Sequence, residues 1–172
     1  VTRVLSAAVV ATLLLVSGCA AAEPPTAQTA PPAEPQSTAS QDTAAEPELV
    51  DACAVLPQHE AEAIAQTPLE EGVPGDPAHP SCLYPGPVDG PLAQVEIFIG
   101  DGAEKFYEIE RTLEHQLVEL PGIGDEAYSY ENTLFARTGA TWVALRLVRL
   151  NDPAENADAL ASALSTIVDR VR

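Results

Sequence analysis

Between residues 92 and 99 apolar and polar side chains alternate. Val95, Ile97 and Ile99 share one face, and Gln94, Glu96 and Phe98 share the other. A period of two is that of a strand with one buried face. Strands are also expected over Glu126 to Tyr130, Leu134 to Thr138 and Thr141 to Leu150, and Ser81 to Tyr84 reads as a shorter one. In the last strand Val143, Leu145 and Leu147 point one way and Ala144 and Arg146 the other; a shift at Val148 to Leu150 suggests a bulge. Other stretches keep helical spacing. Asp51 to Leu56 reads as a helical turn broken at Pro57. That proline can open a second helix, to about Gln66, because a first helical position needs no N–H bond; Ala61, Ile64 and Ala65 form its apolar face. From Asp101, the residues Phe106, Ile109, Leu113, Leu117 and Leu120 recur at helical spacing until Pro121-Gly122. Glu104, Glu108, Glu110, Arg111, Glu114 and Glu119 form the solvated side. Asp152-Pro153-x-Glu155 opens a last helix that buries Ala157, Leu160, Ala161, Leu164, Ile167, Val168 and Val171. Thr67 to Pro80 and Pro85 to Pro91 are turn-rich loops. The order is α-β-β-α-β-β-β-α. It predicts an α+β domain with an antiparallel sheet of about five strands and helices packed mainly on one face.

A different pattern precedes this domain. Val4 to Val16 is a continuous apolar run with Arg3 as the only charge before it. At about 13 residues it is shorter than the ~20 a spanning helix needs, and it fits the apolar region of an export signal. Val16-Ser17-Gly18-Cys19 follows directly. This tetrapeptide resembles the lipobox of bacterial lipoproteins. The resemblance implies a diacylglyceryl group on Cys19 and cleavage before it, so that residues 1–18 are a signal peptide. Two acyl chains anchor durably where one is marginal. Ala20 to Glu48 holds Ala, Pro, Thr, Gln, Ser and acidic residues with no aromatic and no aliphatic larger than Ala. Nothing in it offsets the entropy of ordering, so residues 19–48 read as a lipidated cysteine followed by a disordered tether, and 49–172 as the globular domain.

Charge narrows the partners. The chain has 172 residues, 8 Lys+Arg against 26 Asp+Glu, and a formal net charge of −18. It cannot form the basic face that phosphate backbones require, so nucleic acid is excluded as a partner. Nor does an acidic chain lie down on an anionic membrane, so the lipid on Cys19 is the expected membrane contact. With Cys19 spent on lipid, Cys53 and Cys82 remain. In an exported domain they read as one disulfide, the alternative being two free thiols.

Candidate chemistry is thin. His59, His79 and His115 share no metal-ligand spacing, so no metal site and no cofactor are expected. Ser81 lacks a nucleophile turn and an evident base. Gly122-Ile-Gly124-Asp125 lacks the rest of a phosphate or calcium loop; its expected role is mechanical, with glycines permitting a chain reversal and Asp125 bonding nearby backbone N–H groups. Trp142 and Phe98 lie out of phase with the aliphatic faces of their strands. With Tyr128, Tyr130 and Phe135 they form either an exposed binding face or a layer covered by a long loop such as Thr67 to Pro80.

Three motifs carry a further resemblance. Asp51-Ala-Cys53-Ala-Val-Leu-Pro-Gln-His-Glu60 is similar to the "C-x-L-L-T-x-x-E" opening of actinobacterial lipoproteins of the DUF3558 family. Ser81-Cys82-Leu-Tyr84 resembles their "S-C-x-W/Y" strand, and Leu120-Pro-Gly-Ile-Gly-Asp-Glu-Ala127 their "V-P-G-L-G-D-x-A" turn. Val55 and Pro57 depart from the first motif. The resemblance spans about 120 residues and implies a domain of unknown function, so no catalytic residue carries over. The expected function is that of a monomeric, non-enzymatic binding or accessory domain, held by lipid on the outer face of the cytoplasmic membrane, that recognises a protein, wall polymer or small ligand. The alternative is a carrier of an apolar small ligand, or an extracytoplasmic hydrolase.

Overall fold

A computed structural model describes residues 50–172; the expected signal peptide, Cys19 and the expected tether lie outside the described residues. Among the described residues the fold is α+β, built from one open antiparallel sheet of seven strands and four α-helices. The helices are α1 (Ala52–Val55), α2 (Gln58–Ala65), α3 (Asp101–Thr112) and α4 (Ala157–Val171). The strands are β1 (Val73–Pro74), β2 (Ser81–Pro85), β3 (Ala93–Ile99), β4 (Val118–Glu119), β5 (Glu126–Tyr130), β6 (Thr133–Thr138) and β7 (Thr141–Arg149). Their spatial order is β1-β2-β3-β7-β6-β5-β4. The chain meanders from one edge to the centre, crosses over the sheet through α3, and meanders back from the other edge until β7 closes against β3.

The five expected strands are present within a residue or two of their expected ends. The two extra strands are edges of two residues each. One lies in the expected loop, where Val73 and Pro74 pair with Leu83 and Cys82. Such a short run has no readable period, and proline is tolerated there because an edge strand has a side without ladder bonds. The other, β4, lies where the helix from Asp101 was expected to continue. That helix ends at Thr112, and Glu114 takes a left-handed φ of 58°. The reason is tertiary. Leu117 packs on one face of the sheet and Leu120 on the other, which no single helix could achieve. The expected bulge at Val148 to Leu150 is absent from the paired part of β7, which steps one-for-one against β3 through Arg149↔Ala93.

Three helices share one face of the sheet. Val95, Ile97, Ile99, Val143, Leu145 and Leu147 meet Leu56, Ile64, Leu160, Leu164, Ile167 and Val168 there, all buried. Local chemistry sets these helices in place. The Asp51 carboxylate accepts from the Cys53 and Ala54 N–H groups at 2.9 and 3.2 Å, capping α1. Cys53 and Cys82 form a disulfide that ties α1 to β2. The buried Tyr84 hydroxyl donates to the carbonyls of Cys53 (3.2 Å) and Leu56. From the far end of α4, Arg170 grips both Glu60 oxygens at 2.6 and 2.7 Å and the Val55 carbonyl at 2.8 Å. That bidentate contact holds the Glu60 carboxyl below the usual carboxylate range. The fourth helix, α3, lies on the opposite face. Helices therefore sit three against one across the sheet.

Candidate functional site

Strand register arranges the α3 face in rungs. One rung runs Tyr128–Phe135–Ala144–Phe98 across β5, β6, β7 and β3. Helix α3 lies over it and buries Ala103 and Tyr107. The small Ala144 lets the helix approach closely. Tyr107 stacks on Trp142 with centroids 4.5 Å apart and on Tyr128 at 5.2 Å. Phe106 meets Phe98 and Phe135 edge to face at 5.8 and 5.2 Å. Such geometries suit the ring quadrupoles.

This corrects the expectation for Trp142 and Phe98. Trp142 is only 7% exposed and Phe135 is fully buried, while Phe98 and Tyr128 are half-buried. They form neither an exposed patch nor a layer under the loop from Thr67 to Pro80. They are the core beneath α3. The expected apolar face of α3 was displaced as well: Ile109 and Leu113 are 56% and 59% exposed. The inward residues are Ala103, Phe106, Tyr107 and Glu110, a helical spacing that was present in the sequence but masked by the leucines beside it.

One flank of α3 is sealed by polar groups. Arg137 Nε donates to Glu126 at 2.5 Å, and the Tyr128 hydroxyl donates to the same carboxylate at 3.0 Å. These bonds, Arg137 first, hold Glu126 low; the bond to Glu126, then contact with Tyr107, pushes the Tyr128 phenol up to about 12. Asp125 accepts from the Gly139 N–H at 2.7 Å, which is the mechanical role expected of it. At Gly124, φ is +60° and a Cβ would lie 2.4 Å from the Arg137 carbonyl oxygen, so the turn before β5 needs glycine on two counts.

The other flank is open. A second rung, Tyr130–Thr133–Arg146–Glu96–Leu83, runs beside α3 rather than under it. Here a cleft of about 310 Å³ opens between Phe106 and Glu110 of α3, the turn from Tyr130 to Thr133, and Arg146 to Arg149 of β7. Arg146 is 3.6 Å from the Glu96 carboxylate. His115, where the chain turns back after α3, stacks on Tyr130 with centroids 4.2 Å apart, and its Nδ1 pairs with the Glu110 carboxylate. Burial, and then the carboxylates of Glu131 and Glu110, pushes the Tyr130 phenol up. The cleft wall is held from behind. The Asn132 carbonyl accepts from the Leu147 N–H at 2.9 Å, and its side-chain oxygen accepts from buried Asn156 at 3.0 Å. Arg149, at the end of β7, also lines the cleft, and its Nη1 is buried without a hydrogen-bond partner.

Of the four expected binding-face residues, only Tyr130 lines this cleft. Glu110, Glu131, Thr133 and Arg146 were not singled out as a site, because only the hairpin register brings them together. His59, on α2, and His79, in the loop before β2, lie apart from His115, and among the described residues no three His, Cys, Asp or Glu side chains gather to hold a metal. The alternative of a carrier needs a cavity between sheet and helices; beneath α4, Leu160, Leu164, Ile167 and Val168 fill that space. Another surface cleft of about 290 Å³ separates α2 from α4. It is lined by small residues and Glu60, which Arg170 already engages. No protein-family model, no curated protein and no solved structure matches the chain.

Proposed function

We propose that this chain is a lipid-anchored lipoprotein of the extracytoplasmic membrane face, similar to the DUF3558 family, whose domain binds a ligand without catalysing a reaction. The anchor is Cys19 and the binding site is the cleft beside α3. The observation that carries the binding reading is the open rung. It combines an aromatic ring, carboxylates and a half-exposed guanidinium on a stiff sheet, and it lies next to a helix flank that leaves leucine and isoleucine in water. The lining of the cleft is mainly polar, with Phe106 and Tyr130 as aromatic surfaces among charged and amide groups. The Cys53–Cys82 disulfide supports an oxidising compartment. The His115 imidazole pairs with Glu110, and neither a serine nor a cysteine is among its hydrogen-bond partners, which favours binding over hydrolysis.

Two measurements test this reading. Cys19→Ala should move the protein from the membrane fraction to the medium, and retention on the membrane would overturn the anchor. Solubilised envelope material, titrated into the isotope-labelled protein, should shift the amide resonances of Tyr130, Thr133 and Arg146. Shifts confined to other parts of the domain would overturn the assignment of the site.

A further inference from the structure

The cleft beside α3 gathers opposite charges that do not neutralise one another. Its strand wall carries Arg146 and Arg149, and its turn wall carries Glu131 and Asn132. The Leu147 N–H donates to the Asn132 carbonyl at 2.9 Å and so holds the two walls together. Arg146 is the residue before Leu147, Arg149 lies two beyond it, and Glu131 is the residue before Asn132. Two residues of strand span ~6.6 Å, so one small molecule can bridge the backbone positions that carry these charges.

Arg149 is the least satisfied of them. Arg137, Arg146, Arg170 and Arg172 are ion-paired at 2.5–3.6 Å, whereas Arg149 has no ion pair among the described residues and its Nη1 is buried without a hydrogen-bond partner. A buried donor left unmatched costs free energy that an acceptor recovers. The acceptor whose two oxygens suit a guanidinium is a carboxylate. Arg146 can contribute from the same wall, because its side chain is 47% exposed and its 3.6 Å contact with Glu96 is longer than a hydrogen bond. Among the acids, Glu110 is engaged by His115, but Glu131 is exposed and has no ion pair among the described residues.

The charge of the whole chain narrows the ligand further. With 26 acidic residues against 8 basic ones, it repels a simple anion at long range. A molecule that carries both charges is not repelled, and its cation has Glu131 to meet. We infer that the cleft binds a small zwitterion of the amino-acid or short-peptide class, with the carboxylate on Arg149 and Arg146 and the ammonium on Glu131. A volume of about 310 Å³ lies at the small end of ligand pockets and suits such a molecule. This inference rests on the reading of the domain as a binding module.

The test is a titration of the isotope-labelled full chain with three probes. Glycylglycine carries both charges, N-acetylglycine keeps only the carboxylate, and glycinamide keeps only the ammonium. Glycylglycine should shift the amide resonances of Tyr130, Glu131 and Arg149. Each half-ligand should bind at least about 10-fold more weakly, as expected for one lost charge-assisted contact. Glu131→Gln and Arg149→Gln should each weaken glycylglycine by about the same factor. Glu131 is exposed and Arg149 Nη1 has no partner to lose, so neither variant should lower the thermal unfolding midpoint; if Arg149→Gln does lower it, Glu131→Gln decides. Unchanged affinity in a folded variant overturns the inference, and so does N-acetylglycine or glycinamide binding as tightly as glycylglycine. Shifts at these residues with envelope material but not with glycylglycine overturn the zwitterion and leave the cleft as the binding site. If neither shifts them, both the inference and the binding reading fall.

Discussion

On one face of the sheet, three helices and four strands bury aliphatic side chains, and a disulfide and a bidentate Arg170–Glu60 contact bind the helices to one another and to the sheet. On the other, a single helix covers one aromatic rung and leaves the next rung open. The two faces belong to the same strands, often to neighbouring residues. Val143 and Leu145 fill the first core while Trp142 and Ala144 build the second. The difference teaches where a ligand can be accommodated. A face that three helices fill offers no room without losing stability, whereas a face with one crossover helix holds its aromatic layer and still leaves its flank free. Under the proposed reading, stability and binding are divided between opposite sides of one sheet.

Breaking the filled face should cost most. Leu164→Ala removes a fully buried side chain between α4 and the sheet, and should destabilise the domain by about 3–5 kcal/mol in denaturant unfolding. Loss of under about 1 kcal/mol would mean that this core is not close-packed. Opening the disulfide comes next. Its ends are 29 residues apart in sequence, so replacing Cys53 and Cys82 by serine should cost about 3–4 kcal/mol in the chain-entropy account.

The aromatic face offers the sharper contrast. Tyr107→Ala strips the ring that stacks on Trp142, and should cost about 3 kcal/mol. It should also shift Trp142 emission to the red, whereas Leu164→Ala should leave that emission unchanged. The same variant removes one of the contacts that raise Tyr128, whose neutral phenol contributes stability below about pH 10 that is lost as pH rises toward 12. Its ultraviolet titration should therefore move down in Tyr107→Ala. The smallest effect is expected at Arg170→Ala, about 1 kcal/mol, because the ion pair is about one-third exposed. Here the folded-state carboxyl is depressed. The contribution is thus present above the usual carboxylate range and fades as pH falls through the lowered value of Glu60. The difference between wild type and variant should vanish in acid; a difference that persists there would assign the effect to the Val55 carbonyl bond instead.

Much of the filled face is legible in the sequence. Strict alternation in β3 and an i, i+3, i+4, i+7 series in α4 are local signals, and each names its own buried side. The site is less legible. Tyr107 is flanked by Phe106 and Ile109, and the leucines at 113, 117 and 120 extend a helical pattern beyond the helix. Local spacing counts apolar positions but does not say which of two faces they serve. Nor can it align Tyr130, Thr133 and Arg146, which are neighbours only because two hairpins share a register.

By itself, the sequence determined the five longer strands, the Asp51 cap of α1, the pairing partners left to Cys53 and Cys82, and the acidic character of the chain. These follow from periodicity, capping chemistry and composition, which act within a few residues or over the chain as a whole. Tertiary structure alone decided that α3 crosses to the second face, that Trp142 lies beneath it, and that a cleft remains open beside it. Those outcomes depend on which long-range surfaces meet when seven strands close into one sheet, and one crossover helix is too narrow to cover the face it crosses.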